Sequence, residues 1–434
     1  MNNDIIAKPL NSLLKGEITI PADKSISHRS IIIGSLTGGK VKISNFSKGG
    51  DPVSTLNIFK NLGLKVEYIN ENTLVIDSKE GFKEPSSLLD CGNSGTTMRL
   101  LSGLLAGQRF NSTLTGDISL SKRPMKRIIE PLTLMGANIK SNDNKAPLEI
   151  YGAKLKGISY KSKIASAQVK SSILLAGFNA VEETTVVEPY LSRNHTEIMF
   201  KYFDADIKTG KKEEEFYTKI RNSFLIPKDI FIPGDISSAA FFMAAGAIIP
   251  GSDIIIKNTG LNKTRTGIID VMREMNAYIE ILDFKNVNGE DIGDIRVKYS
   301  PSLKGIEIKG EIIPRLIDEI PVICVLAGFA DGKTVIKNAG DLKNKESDRI
   351  LCTSNELKKM GFNIEPADDG FVIEGLKGKK VEGCAELNTY CDHRLAMSLY
   401  VASLHSKRES LIKDFNWVNT SFPEFLFLFS NLGA

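Results

Sequence analysis

Apolar and polar residues along the chain repeat one arrangement six times. In each copy, a polar segment precedes a run of small and apolar residues, which is apolar nearly all round and predicts a buried helix. The six runs are KSISHRSIIIGSL, GNSGTTMRLLSGLLAG, ASAQVKSSILLAGF, GDISSAAFFMAAGAI, DEIPVICVLAGFADG and DHRLAMSLYVAS. A strand-like run such as KVKISNF or KTVIKNA follows each of them. The pattern therefore predicts six copies of one α/β unit.

A second, amphipathic helix is predicted roughly 40 residues after each buried run. Each ends at a residue type that tolerates the left-handed backbone conformation. These ends lie 68 to 85 residues apart, at Gly63, Gly136, Asp204, Asn276, Gly361 and Gly433. Each unit is therefore predicted to contain a strand, a buried helix, a strand, an amphipathic helix and a strand.

Two bundles of three buried helices, each wrapped by sheets, would bury all six runs. We therefore expect an α/β fold of two similar inside-out domains, each built from three βαβαβ-type units with parallel buried helices. Residues 22–236 are predicted to form one domain, and residues 1–21 plus 237–434 the other. Because helix N-termini carry unsatisfied N–H groups and partial positive charge, a cleft between the domains is expected to bind anions.

Length, charge and cysteine content exclude several classes of protein. The length of 434 residues suggests two or three domains, and 42% apolar with 25% charged residues is typical of a globular protein. A net charge of +4 disfavours a dedicated nucleic-acid binder. Five scattered cysteines without a C-x-x-C argue against a disulfide framework or a zinc site and favour a reducing cytoplasm. We expect no signal peptide and no membrane span.

Charged residues collect where the repeat places helix starts and the loops that follow the next strand. The cations are Lys24, Arg29, Arg123, Arg193, Lys345, Arg349 and Arg394. Seven cations facing one cleft would repel each other unless a ligand with several phosphates or carboxylates occupies it. Asp318 and Glu346 remain for proton transfer.

Several of these residues also have an ordinary structural explanation. A solvated loop is the alternative for Arg123, and a solvated helix face is the alternative for Lys345, Glu346 and Arg349. Lys24 and Ser25 lack the glycines of a phosphate-binding loop, so a solvated helix start capped by Ser27 is the alternative. Gly95 either allows close approach of a ligand or makes a turn. Asp318 is either an N-cap carboxylate or a partly buried general base.

Taken in order, PADKSISHR, GNSGTTMR, KRPM, SAQVKS, SRNHTE, PGDISSAA, IDEIP, KESDR and CDHRLAM resemble the 5-enolpyruvylshikimate-3-phosphate synthase family of enolpyruvyl transferases. The resemblance runs from about Lys15 to the C-terminus. It implies transfer of the enolpyruvyl group of phosphoenolpyruvate to the 5-hydroxyl of shikimate 3-phosphate, through a tetrahedral intermediate and with release of phosphate. It also implies no metal or other cofactor, a monomer, and neither nucleic acid nor membrane as a partner.

The resemblance further implies roles for individual residues. Those matching the shikimate 3-phosphate site are Lys24, Ser25, Arg29, Ser166, Ala167, Gln168, Arg193, Asp318 and Lys345. Those matching the phosphoenolpyruvate site are Lys24, Gly95, Arg123, Gln168, Arg349 and Arg394. Asp318 matches the group that takes the 5-hydroxyl proton, and Lys24 and Glu346 match groups that handle protons at the methylene carbon.

The chain departs from the family at several positions. Thr420 stands where some members have a lysine that contacts phosphoenolpyruvate, and Asp341 stands where some have an asparagine that contacts the sugar. Ala167 replaces a serine and could offer only its backbone. Gly95 is retained, which predicts that glyphosate competes with phosphoenolpyruvate.

Two other functions are weighed against this one. A UDP-N-acetylglucosamine enolpyruvyl transferase would have the same fold, but that family uses a cysteine on the loop corresponding to SLSKRPM, where this chain has none. A six-repeat clamp around DNA would carry a cationic inner surface. The near-neutral charge and the acids at helix starts disfavour it.

Overall fold

A computed structural model describes residues 3–384 and 386–434, and its chain divides into two compact units. Unit 1 comprises Met1–Pro21, Pro233–Asn286 and Asp291–Ala434, and unit 2 comprises Ala22–Ile232 and Val287–Glu290. The division at residue 21 coincides with the expected one. The second division lies at 232/233 instead of 236/237, and residues 287–290 belong to unit 2 instead of the domain 237–434.

Local hydrogen bonds explain both differences. The N–H of Asp235 donates to the carbonyl of Pro21 at 2.9 Å, so the segment before the fourth buried helix belongs with unit 1. Within unit 2, the N–H of Phe231 donates to Asn288 Oδ1 at 2.8 Å. Such hydrogen bonds between segments that are distant in sequence leave no mark in the repeat pattern.

The six predicted buried helices are present. They are α1 (Lys24–Gly34), α3 (Gly95–Ala106), α5 (Ala167–Phe178), α7 (Ile236–Ile248), α10 (Ile320–Phe329) and α12 (His393–Leu404). All thirteen residues of α7 are buried, as its apolar sequence predicts. Three of these helices lie in each unit.

The predicted second helix of each repeat is also present. These helices are α2 (Gly50–Asn61), α4 (Lys126–Leu134), α6 (His195–Tyr202), α8 (Gly267–Glu274), α11 (Arg349–Lys359) and α13 (Phe425–Asn431), and a short α9 (Ile313–Leu316) precedes α10. The six residues predicted to end these helices all have positive φ, from +62° to +99°. The helix ends expected from residue type are thereby confirmed.

Unit 2 contains three four-stranded sheets. Their strands, in spatial order, are β14 (Ile230–Phe231), β3 (Lys40–Ser44), β5 (Thr73–Asp77) and β4 (Lys65–Asn70); β6 (Leu89–Asp90), β7 (Ser112–Thr115), β9 (Lys145–Tyr151) and β8 (Asn138–Asn142); and β10 (Ser159–Lys161), β11 (Thr184–Glu188), β13 (Glu215–Ile220) and β12 (Ile207–Lys212). In each sheet the first pair is parallel and the other pairs are antiparallel. The three sheets of this unit therefore share one arrangement of strands.

Unit 1 contains two sheets of this kind and a smaller one. Their strands are β2 (Lys15–Thr19), β15 (Asp253–Gly260), β17 (Glu290–Lys298) and β16 (Tyr278–Val287); β18 (Glu307–Ile308), β19 (Lys333–Ile336), β21 (Gly370–Glu374) and β20 (Asn363–Ala367); and the pair β1 (Ile5–Ala7) and β22 (Ser410–Ile412). In the sixth repeat, α13 is the last element that the described residues form.

Five repeats contain one strand more than the sequence analysis predicted, because the extended segment after the second helix is a hairpin. In the second repeat, Asp143 and Asn144 form the turn between β8 and β9, and both have positive φ. Two such residues are typical of a tight hairpin turn. Asp-Asn is a turn signal that can be recognised in the sequence, but the strand prediction for this repeat did not use it.

Each unit has its own apolar core. In unit 1, α13 packs a phenylalanine cluster onto α7, where the rings of Phe242 and Phe429 stack with centroids 4.3 Å apart. The five cysteines are free thiols, and burial raises the pKa of Cys91 and Cys324 above the usual range. Over residues 3–384 and 386–434, none of the helices has the length and apolar character needed to cross a membrane.

Candidate active site

The start of α1 is enclosed. Asp23 caps the helix by accepting a hydrogen bond from the N–H of Ile26 at 2.8 Å. Ser27, the alternative cap, lies inside the first turn and donates to the carbonyl of Asp23. Lys24 Nζ contacts Asp51 Oδ2 at 3.0 Å, and its side chain is 20% exposed. The predicted alternative of a solvated start capped by Ser27 is therefore wrong.

Arg29 lies on the next turn of α1 and is buried. Its Nε donates to Thr196 Oγ1 at 2.7 Å, and its Nη2 donates to Ser171 Oγ at 2.9 Å. Its Nη1 donates to the carbonyl of Ser25 at 3.0 Å. The two hydroxyls are themselves 2.7 Å apart. Neutral oxygens on α1, α5 and α6 thus orient a guanidinium that stays cationic.

Gln168 joins the starts of α3 and α5. Its Oε1 accepts from Arg99 Nη1 at 2.6 Å, and its Nε2 donates to Thr96 Oγ1 at 2.9 Å. Gly95, the first residue of α3, lies directly beside the arginines. A Cβ built there would lie 2.9 Å from Arg99 Nη1 and 3.4 Å from Arg123 Nη1. This glycine therefore permits the guanidinium groups of Arg99 and Arg123 to approach the backbone closely, and it does not form a turn.

The remaining predicted residues of unit 2 lie at helix starts or in loops. Arg123 follows a short 3₁₀ turn, and its Nη2 donates to Asn93 Oδ1 at 2.6 Å. Ser166 caps α5, which begins at Ala167. Arg193 lies half-buried in the segment before α6. The unit 2 cluster consists of Lys24, Ser25, Arg29, Gly95, Arg123, Ser166, Ala167, Gln168 and Arg193.

Arg349, the first residue of α11, is fully buried and anchors the predicted residues of unit 1. Its Nε and Nη2 reach the two oxygens of Asp392 at 2.7 and 3.2 Å, and Nη2 also donates to Glu346 Oε2 at 2.6 Å. Burial disfavours the charged forms of Arg349 and Asp392, but the charge of each side chain stabilises the charged form of the other. The pKa of Arg349 is therefore held above its usual value and the pKa of Asp392 below its own.

Asp318 precedes α10 and is surrounded by cations. Its Oδ1 lies 3.5 Å from Lys345 Nζ and 3.5 Å from Arg349 Nη1. Its carbonyl accepts from Arg394 Nη1 at 3.2 Å. The side chain is 14% exposed, and Glu319, not Asp318, occupies the N-cap position of α10. The partly buried carboxylate beside cationic partners is thus the alternative that the geometry favours. The unit 1 cluster consists of Asp318, Lys345, Glu346, Arg349 and Arg394.

A second buried polar network underlies this cluster. Ser237 on α7 donates to Glu319, and Arg394 on α12 lies 3.9 Å from the same carboxylate. Arg265 Nη2 donates to Ser237 Oγ at 2.6 Å and to Asp235 Oδ1 at 3.0 Å. The starts of α7, α10 and α12 therefore converge, as the repeat predicted for the buried helices of one domain.

One expectation about charge needs correction. The positions of seven cations in the repeat predicted a mutual repulsion that only an anionic ligand would relieve. In unit 1, Arg349, Lys345 and Arg394 instead contact carboxylates of the chain itself. The fold brings carboxylates that are distant in sequence beside these cations, and their negative charges offset the positive ones.

Several residues of the site escaped the sequence analysis. Asp392 was noted among the charged residues of CDHRLAM, but its pairing with Arg349 was not predicted, and neither was its role as the cap of α12, although an aspartate directly before a basic helix start is a recognisable N-cap signal. Arg99 and Thr96, which hold Gln168, lie about 70 residues from it and carry no local signal. Asp51, the partner of Lys24, lies in the first turn of α2, where an acidic residue is common and does not by itself indicate a site.

Known proteins resemble the chain over nearly its whole length. The family model for EPSP synthase (3-phosphoshikimate 1-carboxyvinyltransferase) matches residues 10–427. A 3-phosphoshikimate 1-carboxyvinyltransferase from Thermoanaerobacter sp. (strain X514) is 51% identical over 423 residues, covering 96% of this chain and 98% of that protein. The same enzyme from Thermodesulfovibrio yellowstonii is 50% identical over 441 residues, covering 99% of each.

Solved structures agree. An EPSP synthase from Acinetobacter baumannii superposes with a TM-score of 0.87 at 41% identity, covering 99% of this chain and 98% of that one. The enolpyruvyl transferase NikO from Streptomyces tendae has a TM-score of 0.80 at 16% identity, covering 100% and 98%, and supports the fold alone. The chain therefore belongs to the EPSP synthase family and is an enolpyruvyl transferase of the shikimate pathway.

Proposed function

We propose that the unit 1 and unit 2 clusters act together on shikimate 3-phosphate and phosphoenolpyruvate. The 5-hydroxyl oxygen adds to C2 of phosphoenolpyruvate while C3 gains a proton, which forms a tetrahedral intermediate. C3 then loses a proton, the bond from C2 to the phosphate oxygen breaks, and inorganic phosphate leaves. The balance requires no oxidant and no cofactor.

Binding of shikimate 3-phosphate is proposed for the sets of residues that the family resemblance assigns. These are Lys24, Ser25, Arg29, Ser166, Ala167, Gln168, Arg193, Asp318 and Lys345. The hydroxyls of Thr196 and Ser171 orient Arg29, which favours this role. An oriented guanidinium loses little conformational freedom when two of its N–H groups bind a phosphate.

Binding of phosphoenolpyruvate is proposed for Lys24, Gly95, Arg123, Gln168, Arg349 and Arg394. The missing side chain at Gly95 supports the assignment, since it leaves space beside Arg123. Arg349 is held by carboxylates from two directions, so its orientation is fixed before a ligand arrives. Preorganised charge of this kind stabilises a transition state more than a mobile charge does.

Asp318 is proposed to take the proton of the 5-hydroxyl, and its contacts with Lys345 and Arg349 carry this assignment. The side chain is 14% exposed, so its carboxylate is accessible to a bound hydroxyl. Lys24 and Glu346 are proposed to handle the proton at C3. An acid and a base are both required there, because C3 is protonated in the addition and deprotonated in the elimination.

The experiment is a phosphate-release assay with phosphoenolpyruvate and one acceptor at a time. We expect release with shikimate 3-phosphate and none with UDP-N-acetylglucosamine. Release only with the nucleotide sugar would overturn the proposal. Competition by glyphosate against phosphoenolpyruvate is expected in the same assay, because Gly95 is retained.

The remaining expectations are part of the same proposal. We propose a monomer in a reducing cytoplasm that binds neither nucleic acid nor membrane. The predicted cleft between the domains stays a prediction, as does the absence of a ligand contact at Thr420.

A further inference from the structure

A buried lysine with two carboxylate partners lies in unit 2, outside the residues assigned to the reaction. Lys170 on α5 is 1% exposed, and its Nζ lies 2.8 Å from Glu188 Oε2 and 2.7 Å from Glu197 Oε1. Burial alone would lower its pKa, but the two carboxylates raise it, so the lysine is charged. Three buried charged groups are seldom the most stable way to fill such a space.

The network encloses the segment that carries Arg193. Lys170 Nζ donates to the carbonyl of Ser192 at 3.2 Å, and Ser192 Oγ donates to Glu188 Oε1 at 2.6 Å. Glu188 ends β11, and Glu197 lies in the first turn of α6. The segment between them is therefore held at both ends by one ammonium group.

The same lysine is connected to the other phosphate contacts proposed above. It lies one turn after the cap of α5, and its N–H donates to the carbonyl of Ser166 at 3.0 Å. Thr196, the neighbour of Glu197, accepts from Arg29. The network that holds the Arg193 segment therefore borders the start of α5 and the Thr196 contact of Arg29.

We propose that Lys170, held by Glu188 and Glu197, is a positioning residue that sets Arg193 for binding the anionic substrate shikimate 3-phosphate. The inference rests on the proposed function, because it takes the substrate assignment of Arg193 from it. Lys170 itself does not contact substrate in this proposal. It acts through the backbone of Ser192 and the first turn of α6.

The test measures the dissociation constant for shikimate 3-phosphate by calorimetry, with kcat and KM from phosphate release. Lys170→Met is expected to weaken binding at least about tenfold, within the range of couplings found inside one hydrogen-bond network. kcat at saturating substrate is expected to stay within about threefold, because the lysine touches no reacting atom.

A double-mutant cycle separates positioning from general destabilisation. In an Arg193→Gln background, Lys170→Met is expected to cause little further loss of affinity, since the group it positions is already gone. Equal losses in both backgrounds would overturn the proposal. Glu197→Gln keeps the shape and leaves Lys170 paired with Glu188, so it supplies a milder variant if Lys170→Met does not fold. A smaller loss that again disappears in the Arg193→Gln background is expected.

Lys257→Met provides a matched control, because Lys257 pairs with the buried Asp294 in a unit 1 sheet and belongs to neither cluster. Its thermal stability is expected to fall while the affinity for shikimate 3-phosphate stays within about twofold. If Lys170→Met behaves like this control, the positioning role is refuted. A wild-type protein that neither binds shikimate 3-phosphate nor releases phosphate would instead refute the proposed function.

Discussion

Asp318→Asn tests the proposed chemistry most directly. The substitution keeps the shape of the side chain and removes one negative charge that lies 3.5 Å from Lys345 and 3.5 Å from Arg349. A positioned general base contributes about 10²- to 10⁴-fold to a rate, which corresponds to roughly 3–5 kcal/mol of activation free energy. We expect kcat to fall by that factor.

Substrate binding should respond in the opposite direction. Loss of the carboxylate leaves Lys345, Arg349 and Arg394 with more uncompensated positive charge, and shikimate 3-phosphate is an anion. Its dissociation constant is therefore expected to stay the same or to decrease. Calorimetry gives the dissociation constant, and phosphate release under saturating substrates gives kcat.

Asp341→Asn is the matched control. Asp341 Oδ2 lies 3.6 Å from the same Lys345 Nζ, but its side chain is 44% exposed. Its kcat is expected to stay within about threefold of wild type, because an exposed ion pair contributes little. The reasoning is refuted if Asp318→Asn retains near-normal kcat, or if its affinity falls in parallel with its rate.

Three further predictions concern the surroundings of the site. Gly95→Ala places a methyl 2.9 Å from Arg99 Nη1, so we expect the KM for phosphoenolpyruvate to rise about tenfold in steady-state kinetics, and an unchanged KM would contradict this. Asp392→Asn leaves the buried Arg349 poorly compensated and should lower the free energy of unfolding in urea by about 3–5 kcal/mol. A loss below about 1 kcal/mol would show that the pair contributes little. Burial lowers the pKa of His28 to about 3, so below pH 6.5 the unfolded chain binds a proton that the folded protein does not. Stability is then expected to fall by roughly 1.4 kcal/mol for each pH unit of acidification, a component that His28→Gln should lack in urea titrations at several pH values.

The repeat made much of the fold predictable. Six helix ends were recognised because Gly, Asn and Asp are the residues that accept the left-handed conformation, and the structure has positive φ at each of them. The buried helices were recognised because a run such as IPVICVLAGF has no polar face. Both signals are local, so one sequence is sufficient to find them.

Side-chain partners could not be predicted in the same way. The pair Arg349 and Asp392 is separated by 43 residues, and Arg99 and Gln168 by 69. Each pair joins two different repeats, and the pattern within a repeat does not say which of its polar residues meets which residue of the next. Asp318 was recognised as a candidate because an acid at the start of an otherwise apolar helix is a local signal, but its partners Lys345 and Arg349 were not predicted.

The strand pairing has a consequence for the order of folding during synthesis. β2 pairs with β15, in which Asp253 lies opposite Lys15 at a separation of 238 residues, and β1 pairs with β22 at residues 410–412. At about 5–20 residues per second, the partner of β2 leaves the ribosome roughly 10–50 s after β2 itself. The main segment of unit 2 ends at Ile232, so all of this unit apart from residues 287–290 is synthesised before β15 begins at Asp253. β2 therefore stays unpaired until the main segment of unit 2 has been synthesised, and β1 stays unpaired until β22 (Ser410–Ile412) follows much later.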